Sequence, residues 1–363
     1  MAGRSLPDFP WDRLTRYAEI ARSHSGGIVD LSVGTPVDPT PAVVRDALIA
    51  AADSPGYPLT AGTPGLREAA TGWFARMGIP IDPSAILPTI GSKELVAWLP
   101  TLLDLGPEST VVIPTLAYPT YDVGARIAGA KVVAADDLTS VKRADLIWIN
   151  TPANPHGRVM PVAEMREAVR VSRDLGAVLA SDECYLELGW DAKPVSVLHP
   201  DVTDGDHTNV LSVHSLSKRS NLAGYRSGLI AGDRSRIASL LEIRKHAGMM
   251  LPGPVQAASV AAFDDDVHVT EQRARYARRR EVLLQAVTAA GLRVEHSEAG
   301  LYIWATRDES CWDTVAAFAA VGVLVTPGEF YGEAGARHVR IALTATDERI
   351  DAAVSRLTLL AIG

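Results

Sequence analysis

From Thr110 onward the chain alternates between short apolar runs and amphipathic helical patterns, and this alternation limits the architectures open to it. TVVIP, KVVAAD, LIWIN and AVLAS are strand-type runs, while intervening stretches such as PVAEMREAVRVSRDLG carry helical spacing. Strands alternating with helices predict an α/β fold, with a mostly parallel sheet covered on both faces. In such sheets ligands bind beyond the carboxyl ends of the strands. The polar clusters of this region fall there. Tyr118 follows VVIP, Asn154 follows LIWIN, Asp182 and Tyr185 follow AVLAS, and Lys218 follows NVLSVH.

Lys218 has an unusual setting. In LSVHSLSKRSNLAGYRSGLIAGD, Leu211 to Asp233, an apolar run ends in Ser215, Leu216, Ser217 and Lys218. A glycine-containing loop, Arg226 and a second apolar run follow. Desolvating an ammonium is costly, so lysine is rarely set between buried strands. One physical reason for doing so is an amine with a lowered pKa that forms a Schiff base with an aldehyde. Arg226 presents forked donors suited to a phosphate. Taken alone, the stretch fits an exposed loop with a solvated lysine and arginine equally well.

The 363 residues exceed one ordinary domain, and 47% hydrophobic with 21% charged residues is usual for a soluble globular protein. A formal net charge of −8 argues against a nucleic-acid surface. The run RARYARRR, Arg273 to Arg280, continues into EVLLQAVTAA with helical spacing and reads as the solvated face of a long helix. Cys184 and Cys311 lack metal-ligand spacing, so neither a metal site nor a disulfide framework is expected. The N-terminal MAGRSLPDFPWDRL has no apolar signal core, and no run is long enough to span a bilayer. A cytoplasmic protein without membrane association is expected.

Elsewhere, Leu14, Tyr17, Ala18, Ile20 and Ala21 form an amphipathic piece, read as an arm with a short helix. Thr40-Pro41 is expected to cap the helix PAVVRDALIAAA, and Thr63-Pro64 to start another. Gly34 is either a turn glycine or a point where backbone approaches a ligand. Gly91, Ser92 and Lys93 open an apolar helix, which serves either as a phosphate site or as an ordinary cap. After a helical tract ending near Gly291 come strands LRVEH, LYIWAT, VLVT and HVRIAL, with helices near 312–320 and 346–360. This reads as a smaller α+β domain. The expected division is an arm with a small-domain segment (1–38), a large domain (39–280) and a small C-terminal domain (281–363).

These motifs, taken in order, resemble the aspartate-aminotransferase-like family, fold type I enzymes that use pyridoxal 5′-phosphate (PLP). The family's S-x-S-K with a later arginine stands here as Ser215, Ser217, Lys218 and Arg226. Its N-P-x-G turn is Asn154, Pro155, His156 and Gly157, and its D-E-x-Y is Asp182, Glu183, Cys184 and Tyr185. Pro327-Gly328 and Arg340-Ile341-Ala342 complete the set. The resemblance implies that Lys218 holds the cofactor as an imine and shuttles a proton, while Asp182 keeps the ring nitrogen protonated. Tyr185 and Asn154 would bond the phenolic oxygen, and Tyr118 would stack on the ring. Arg226, Ser215, Ser217, Ser92 and Lys93 would take the phosphate. Arg340, with the backbone at Gly34 and with Asn154, would take the substrate carboxylate. The family's counterpart of Tyr57 reaches the neighbouring subunit's phosphate, implying a homodimer with shared active sites. His156 departs from the usual threonine and is expected to act around Asn154. His214 is expected to be packed, and Cys184 to point into the core from an extended segment.

Further stretches, among them LPDFPWDRL, GSKELVAWLPTLL and RKHAGMMLPGPVQAA, resemble actinobacterial N-succinyldiaminopimelate aminotransferases of lysine and peptidoglycan biosynthesis. That likeness implies amino transfer between glutamate and N-succinyl-2-amino-6-oxopimelate. Both substrates carry a distal carboxylate, for which Lys93, Arg244 and Lys245 are candidate partners; a solvated helix face also accounts for the last two. The same motifs serve aminotransferases for aspartate, aromatic or other amino acids, and PLP-dependent β-lyases, because the cofactor carries the chemistry and the pocket selects the bond.

Overall fold

The structure, a computed structural model, describes residues 6–8 and 10–361. The first five residues of the expected arm lie outside the described residues, as do 9, 362 and 363. In chain order the first strands are β1 (Val29–Asp30), β2 (Ile86–Ile90), β3 (Thr110–Ile113), β4 (Lys131–Ala134) and β5 (Leu146–Asn150). Next come β6 (Val178–Asp182), β7 (Val210–Ser215), β8 (Ser227–Gly232) and β9 (Arg293–Val294). The last are β10 (Tyr302–Thr306), β11 (Val323–Leu324), β12 (Thr326–Pro327) and β13 (His338–Ala342).

Seven strands make one sheet in the order β2-β8-β7-β6-β5-β3-β4. It is parallel except where β8 pairs with β2 and β7. Every residue of β5, β6 and β7 is buried, which their near-continuous apolar sequences require in a sheet covered on both faces. Alternation assigns the sides. Ile147, Ile149 and Leu179 pack with Trp73, Phe74 and Phe263, whereas Leu146, Trp148 and Ala180 pack with Leu95, Leu99 and Tyr121.

A second core joins the beginning of the chain to its end. Leu14, Ala18, Val29 and Leu31 pack with Tyr276, Leu283, Val287, Phe318, Ile341 and Leu357. Its antiparallel sheet runs β12-β13-β10-β9, while β1 pairs in parallel with β11. The Val267–Ala289 helix contributes its second half to this core.

Two local expectations change. Thr63 caps the Pro64–Arg76 helix through the Leu66 amide (3.2 Å), as its sequence predicts. At the Ala42–Ala50 helix, however, Pro41 occupies the cap position, and Thr40 sits one residue too early to reach the first turn. The Thr40 hydroxyl instead donates to the Asn221 carbonyl (3.3 Å). The arginine-rich helix is solvated only in part. Arg273 and Arg278 are exposed, but Arg279 follows Tyr276 and precedes Leu283 on the buried stripe. It grips both carboxylate oxygens of Asp38 (2.7 Å each) and one of Asp347 (2.6 Å), tying the N-terminal loop and the last helix to the long one. Among the described residues no helix is long and apolar enough to cross a membrane, and no cluster of three or more His, Cys, Asp or Glu is placed to hold a metal ion.

Candidate active site

Strand register brings the polar residues together. Asn150 and Asp182 are paired at the ends of β5 and β6, and β7 ends beside them at Ser215. Because β8 runs the opposite way, its first residues meet the last of β7: Ser215 pairs with Gly228, and Ile90 at the end of β2 pairs with Ser227. Arg226 therefore arrives beside the start of the Ser92–Leu102 helix. Arg226 adopts φ 59 and Gly91 φ 73. The left-handed region is uncommon for arginine, and such strain collects at functional sites. A side chain on Gly91 would collide with the Arg226 guanidinium, and one on Gly228 would press on the Ser92 amide.

Lys218 is half-buried, and its Nζ donates to the Gly34 carbonyl. Burial lowers its pKa, and the Arg340 and Arg226 cations lower it further. Asp182 is buried at the end of β6, with Oδ2 accepting from the Tyr121 hydroxyl (2.8 Å) and Oδ1 from the Cys184 amide (3.3 Å). Burial raises its pKa against those two bonds. Tyr118 packs edge-on to Tyr121, and burial raises its phenol to about 12. Asn154 accepts from Arg340 Nη1 at Oδ1 (2.9 Å), and Arg340 Nη2 donates to the Ser32 carbonyl (2.8 Å). The Arg340 guanidinium lies 3.8 Å from the Tyr302 ring centroid and 4.9 Å from that of Tyr331. Its Nε is buried without a hydrogen-bond partner. The Tyr185 hydroxyl meets that of Tyr302 at 3.1 Å.

Comparison with known proteins gives the family. The model of the family described as "Aminotransferase class I and II" matches residues 27–357. The chain belongs to this family. It is 57% identical to "4-dedimethylamino-4-oxo-anhydrotetracycline transaminase OxyQ" of Streptomyces rimosus, over 98% of this chain and all of that one. It is 59% identical to a protein of Mycobacterium tuberculosis named a probable aminotransferase, over 98% of this chain and 86% of the other. Among solved structures it resembles an aminotransferase from Neisseria meningitidis (TM-score 0.91, 31% identity, 100% and 99% covered). It also resembles a probable N-succinyldiaminopimelate aminotransferase from Thermus thermophilus (TM-score 0.87, 27% identity, 97% and 100% covered). As a class I and II aminotransferase it depends on PLP and has the fold type I architecture.

The residues present fit that cofactor. A half-buried amine stands without a carboxylate partner, and a buried carboxylate stands without a cation within ion-pair distance, among the described residues. Both states are costly until a group with an aldehyde and a protonatable ring nitrogen is supplied. Ser215, Ser217, Arg226 and the Ser92 helix start form a cradle of donors for a phosphate.

Several aminotransferase site expectations are redrawn by the geometry. Tyr57, expected to reach a neighbouring subunit, is 94% exposed in the single chain, which leaves that expectation standing. Cys184 packs half-buried against the core that holds Tyr185 and Leu188, but not from an extended segment. The chain turns immediately after Asp182, breaking strand alternation, and the thiol donates to the Ser92 hydroxyl (3.2 Å). Glu183 takes the inward position, accepting from the Val197 amide (2.7 Å) and Ser212 hydroxyl (2.8 Å); burial raises its pKa to about 7. His214 is packed as expected, stacked on Trp73 at 4.2 Å. His156 does not bond Asn154. Its Nδ1 accepts from the Arg158 amide (3.2 Å) and its ring faces His296 at 5.1 Å; burial lowers its pKa to about 4, keeping it neutral. Tyr121, Tyr302 and Asn150 were not singled out by sequence, although Tyr121 shares the AYPTY stretch with Tyr118. Asn150 accepts from the Asn154 amide (2.7 Å) and donates to the Asp182 carbonyl (2.8 Å), fixing the turn that carries Asn154.

Arg244 is neither solvated nor free to meet a substrate. It is 0% exposed and donates to both oxygens of Glu94 (3.1 and 3.3 Å), whose side chain is 20% exposed. Lys245 is on the surface with Glu242. The Glu94 pair ties the cofactor-side end of the Ser92–Leu102 helix to the Arg234–Ala247 helix. Glu94→Ala strands a fully buried guanidinium and is expected to cost about 3–5 kcal/mol of stability. Arg244→Met leaves a carboxylate that water still reaches, and is expected to cost less, about 2 kcal/mol. Denaturant midpoints of the two cofactor-loaded variants check this order, and the reverse order contradicts it.

Proposed function

We propose that the protein transfers amino groups between glutamate and N-succinyl-2-amino-6-oxopimelate, with Lys218 as the cofactor-bearing amine and general base. The observation that carries the residue assignment is Lys218: a half-buried amine bonded to the Gly34 carbonyl, with its pKa lowered by desolvation and by Arg340 and Arg226. PLP, once bound, supplies an electron sink for the electrons left when the substrate Cα loses its proton. Lys218 Nζ, its pKa lowered by desolvation, would take up that proton. Asp182 would hold a proton on the ring nitrogen by its negative charge. Tyr118 would pack on the ring, and Tyr185 would donate to the phenolic oxygen. Arg226, Ser215, Ser217 and Ser92 would bind the phosphate. Arg340 orients the substrate by its α-carboxylate, its position fixed by Asn154 and Ser32. Two copies would complete each other's sites through Tyr57, whose exposure in one chain suits a partner-facing role.

The substrate assignment draws on the quoted N-succinyldiaminopimelate-type stretches and on the Thermus structure's name. For the distal carboxylate we take Lys93, exposed at the second position of the Ser92–Leu102 helix, whose first turn lies beside Arg226. Lys93→Ala is expected to raise KM for the succinylated substrate about 5–10-fold while leaving alanine transamination unchanged. Equal KM values in parent and variant contradict the assignment. A second reading follows from the 57% identity to a tetracycline-intermediate transaminase: a bulky cyclic ketone as acceptor. Single-turnover reaction of the PLP-loaded protein with glutamate, N-succinyl-LL-2,6-diaminopimelate, aspartate and aromatic amino acids tests these readings through loss of the cofactor's visible band. Fast reaction with glutamate and the succinylated compound supports the first reading. Reaction with glutamate alone, followed by amination of a cyclic ketone, replaces it with the second.

A further inference from the structure

Tyr302 stands where three parts of the site meet. It begins β10, which pairs with β13 and so lies beside Arg340. Its hydroxyl lies 3.1 Å from that of Tyr185, the rings meet edge-on at 5.8 Å, and the Arg340 guanidinium covers its face at 3.8 Å. Any side chain on Gly34 would strike the Tyr302 hydroxyl, so the phenol also abuts the backbone whose carbonyl receives Lys218. The ionisable groups facing it are Arg340 from β13, Lys218 from the turn after β7, and Tyr185 and Cys184 from the turn after β6. Tyr118, Tyr276 and Tyr331 lie further round. Packing alone would be met by a phenylalanine here; the hydroxyl bonded to another buried hydroxyl calls for a separate reason.

We propose that Tyr302 is a positioning residue for amino transfer, acting through two neighbours. Its hydroxyl donates to Tyr185 and strengthens the hydrogen bond Tyr185 gives the cofactor's phenolic oxygen, while its ring holds the Arg340 guanidinium for the substrate carboxylate. The first part rests on the reading of Tyr185 above. Tyr185 has one proton to give, and a donor behind it polarises the hydroxyl and makes it a better donor. A donor at the phenolic oxygen draws off negative charge that otherwise retains the proton on the adjacent lysine-bound nitrogen, so that proton leaves at lower pH. Loss of the Tyr302 hydroxyl therefore moves the titration upward. Loss of the ring acts elsewhere: burial penalises the Arg340 cation, and the aromatic face offsets part of that penalty.

The test uses the PLP-loaded full chain, with the visible absorbance of the bound cofactor titrated against pH. Tyr302→Phe is expected to raise the midpoint by about half a unit, roughly threefold in proton affinity, with KM values within twofold of the parent. Tyr185→Phe is expected to raise it more. Tyr302→Leu is expected to shift the midpoint like Tyr302→Phe and also to raise KM for both substrates about 5–10-fold. If Tyr185→Phe shifts the midpoint and Tyr302→Phe does not, the relay is overturned while the reading of Tyr185 stands. If neither shifts it, both fall. Should Tyr302→Leu fail to fold, Tyr302→Phe decides the hydroxyl, and Tyr302→Trp, which keeps an aromatic face, decides the ring by retaining or losing the parental KM.

Discussion

Lys218→Ala is expected to lower turnover by roughly 10⁴-fold, the upper range for removal of a single general acid–base group. On the proposed reading two losses coincide in this variant: the amine that would anchor the cofactor, and the base that would receive the Cα proton. The phosphate cradle is untouched, so PLP is expected to remain bound without a covalent link. Borohydride would then label the parent at Lys218 and leave the variant unlabelled. The lowered pKa of Lys218 makes a further prediction whose sign can be worked out. The amine is nucleophilic only when neutral, which requires a pH above its pKa. Burial and the Arg340 and Arg226 cations bring that pKa below the ordinary lysine value. Covalent capture of PLP by the cofactor-free chain should therefore rise with pH and level off below the range where a solvent-exposed lysine titrates. A capture rate still climbing at the ordinary lysine pKa contradicts the lowered value. Parental turnover in Lys218→Ala removes the proposed chemistry altogether.

The large sheet and its polar rim were legible because each rests on a rule that acts locally. Apolar runs such as LIWIN and VLSVH can be satisfied only between two layers, and polar residues directly beyond them have nowhere to sit but the strand ends. What sequence missed depends on contacts across long separations. Arg244 and Glu94 are 150 residues apart, and nothing in RKHAG distinguishes a buried guanidinium from a solvated one. The same holds for Arg279 and Asp38, 241 apart, where a run of arginines concealed one buried member. The Cys184 segment is not extended, for a different reason: strand alternation ends with β6 at Asp182, and two residues on, at Cys184, the chain has already turned. Tyr302 was visible in LYIWAT only as a strand residue, because its significance comes from the β10–β13 register that sets it against Arg340.

Asp182→Asn is expected to lower the single-turnover rate about 10³-fold with little change in fold, in line with loss of one preorganised electrostatic contact at a reacting group. The amide is nearly isosteric and can keep the Tyr121 bond, itself braced by stacking of Tyr121 on Trp148 at 4.9 Å. What it cannot keep is the negative charge, and without that charge the ring nitrogen loses its proton and withdraws electrons poorly. Cofactor affinity supplies a second readout. Burial raises the Asp182 pKa in the absence of a cationic partner, so acidification neutralises it sooner than an ordinary carboxylate. PLP binding by the parent should therefore weaken as pH falls through that raised value, over and above the titration of the phosphate itself. In Asp182→Asn only the phosphate contribution remains, so the difference between the two pH profiles isolates the carboxylate. Superimposable profiles, or a rate within tenfold of the parent, would mean that the ring nitrogen does not face Asp182.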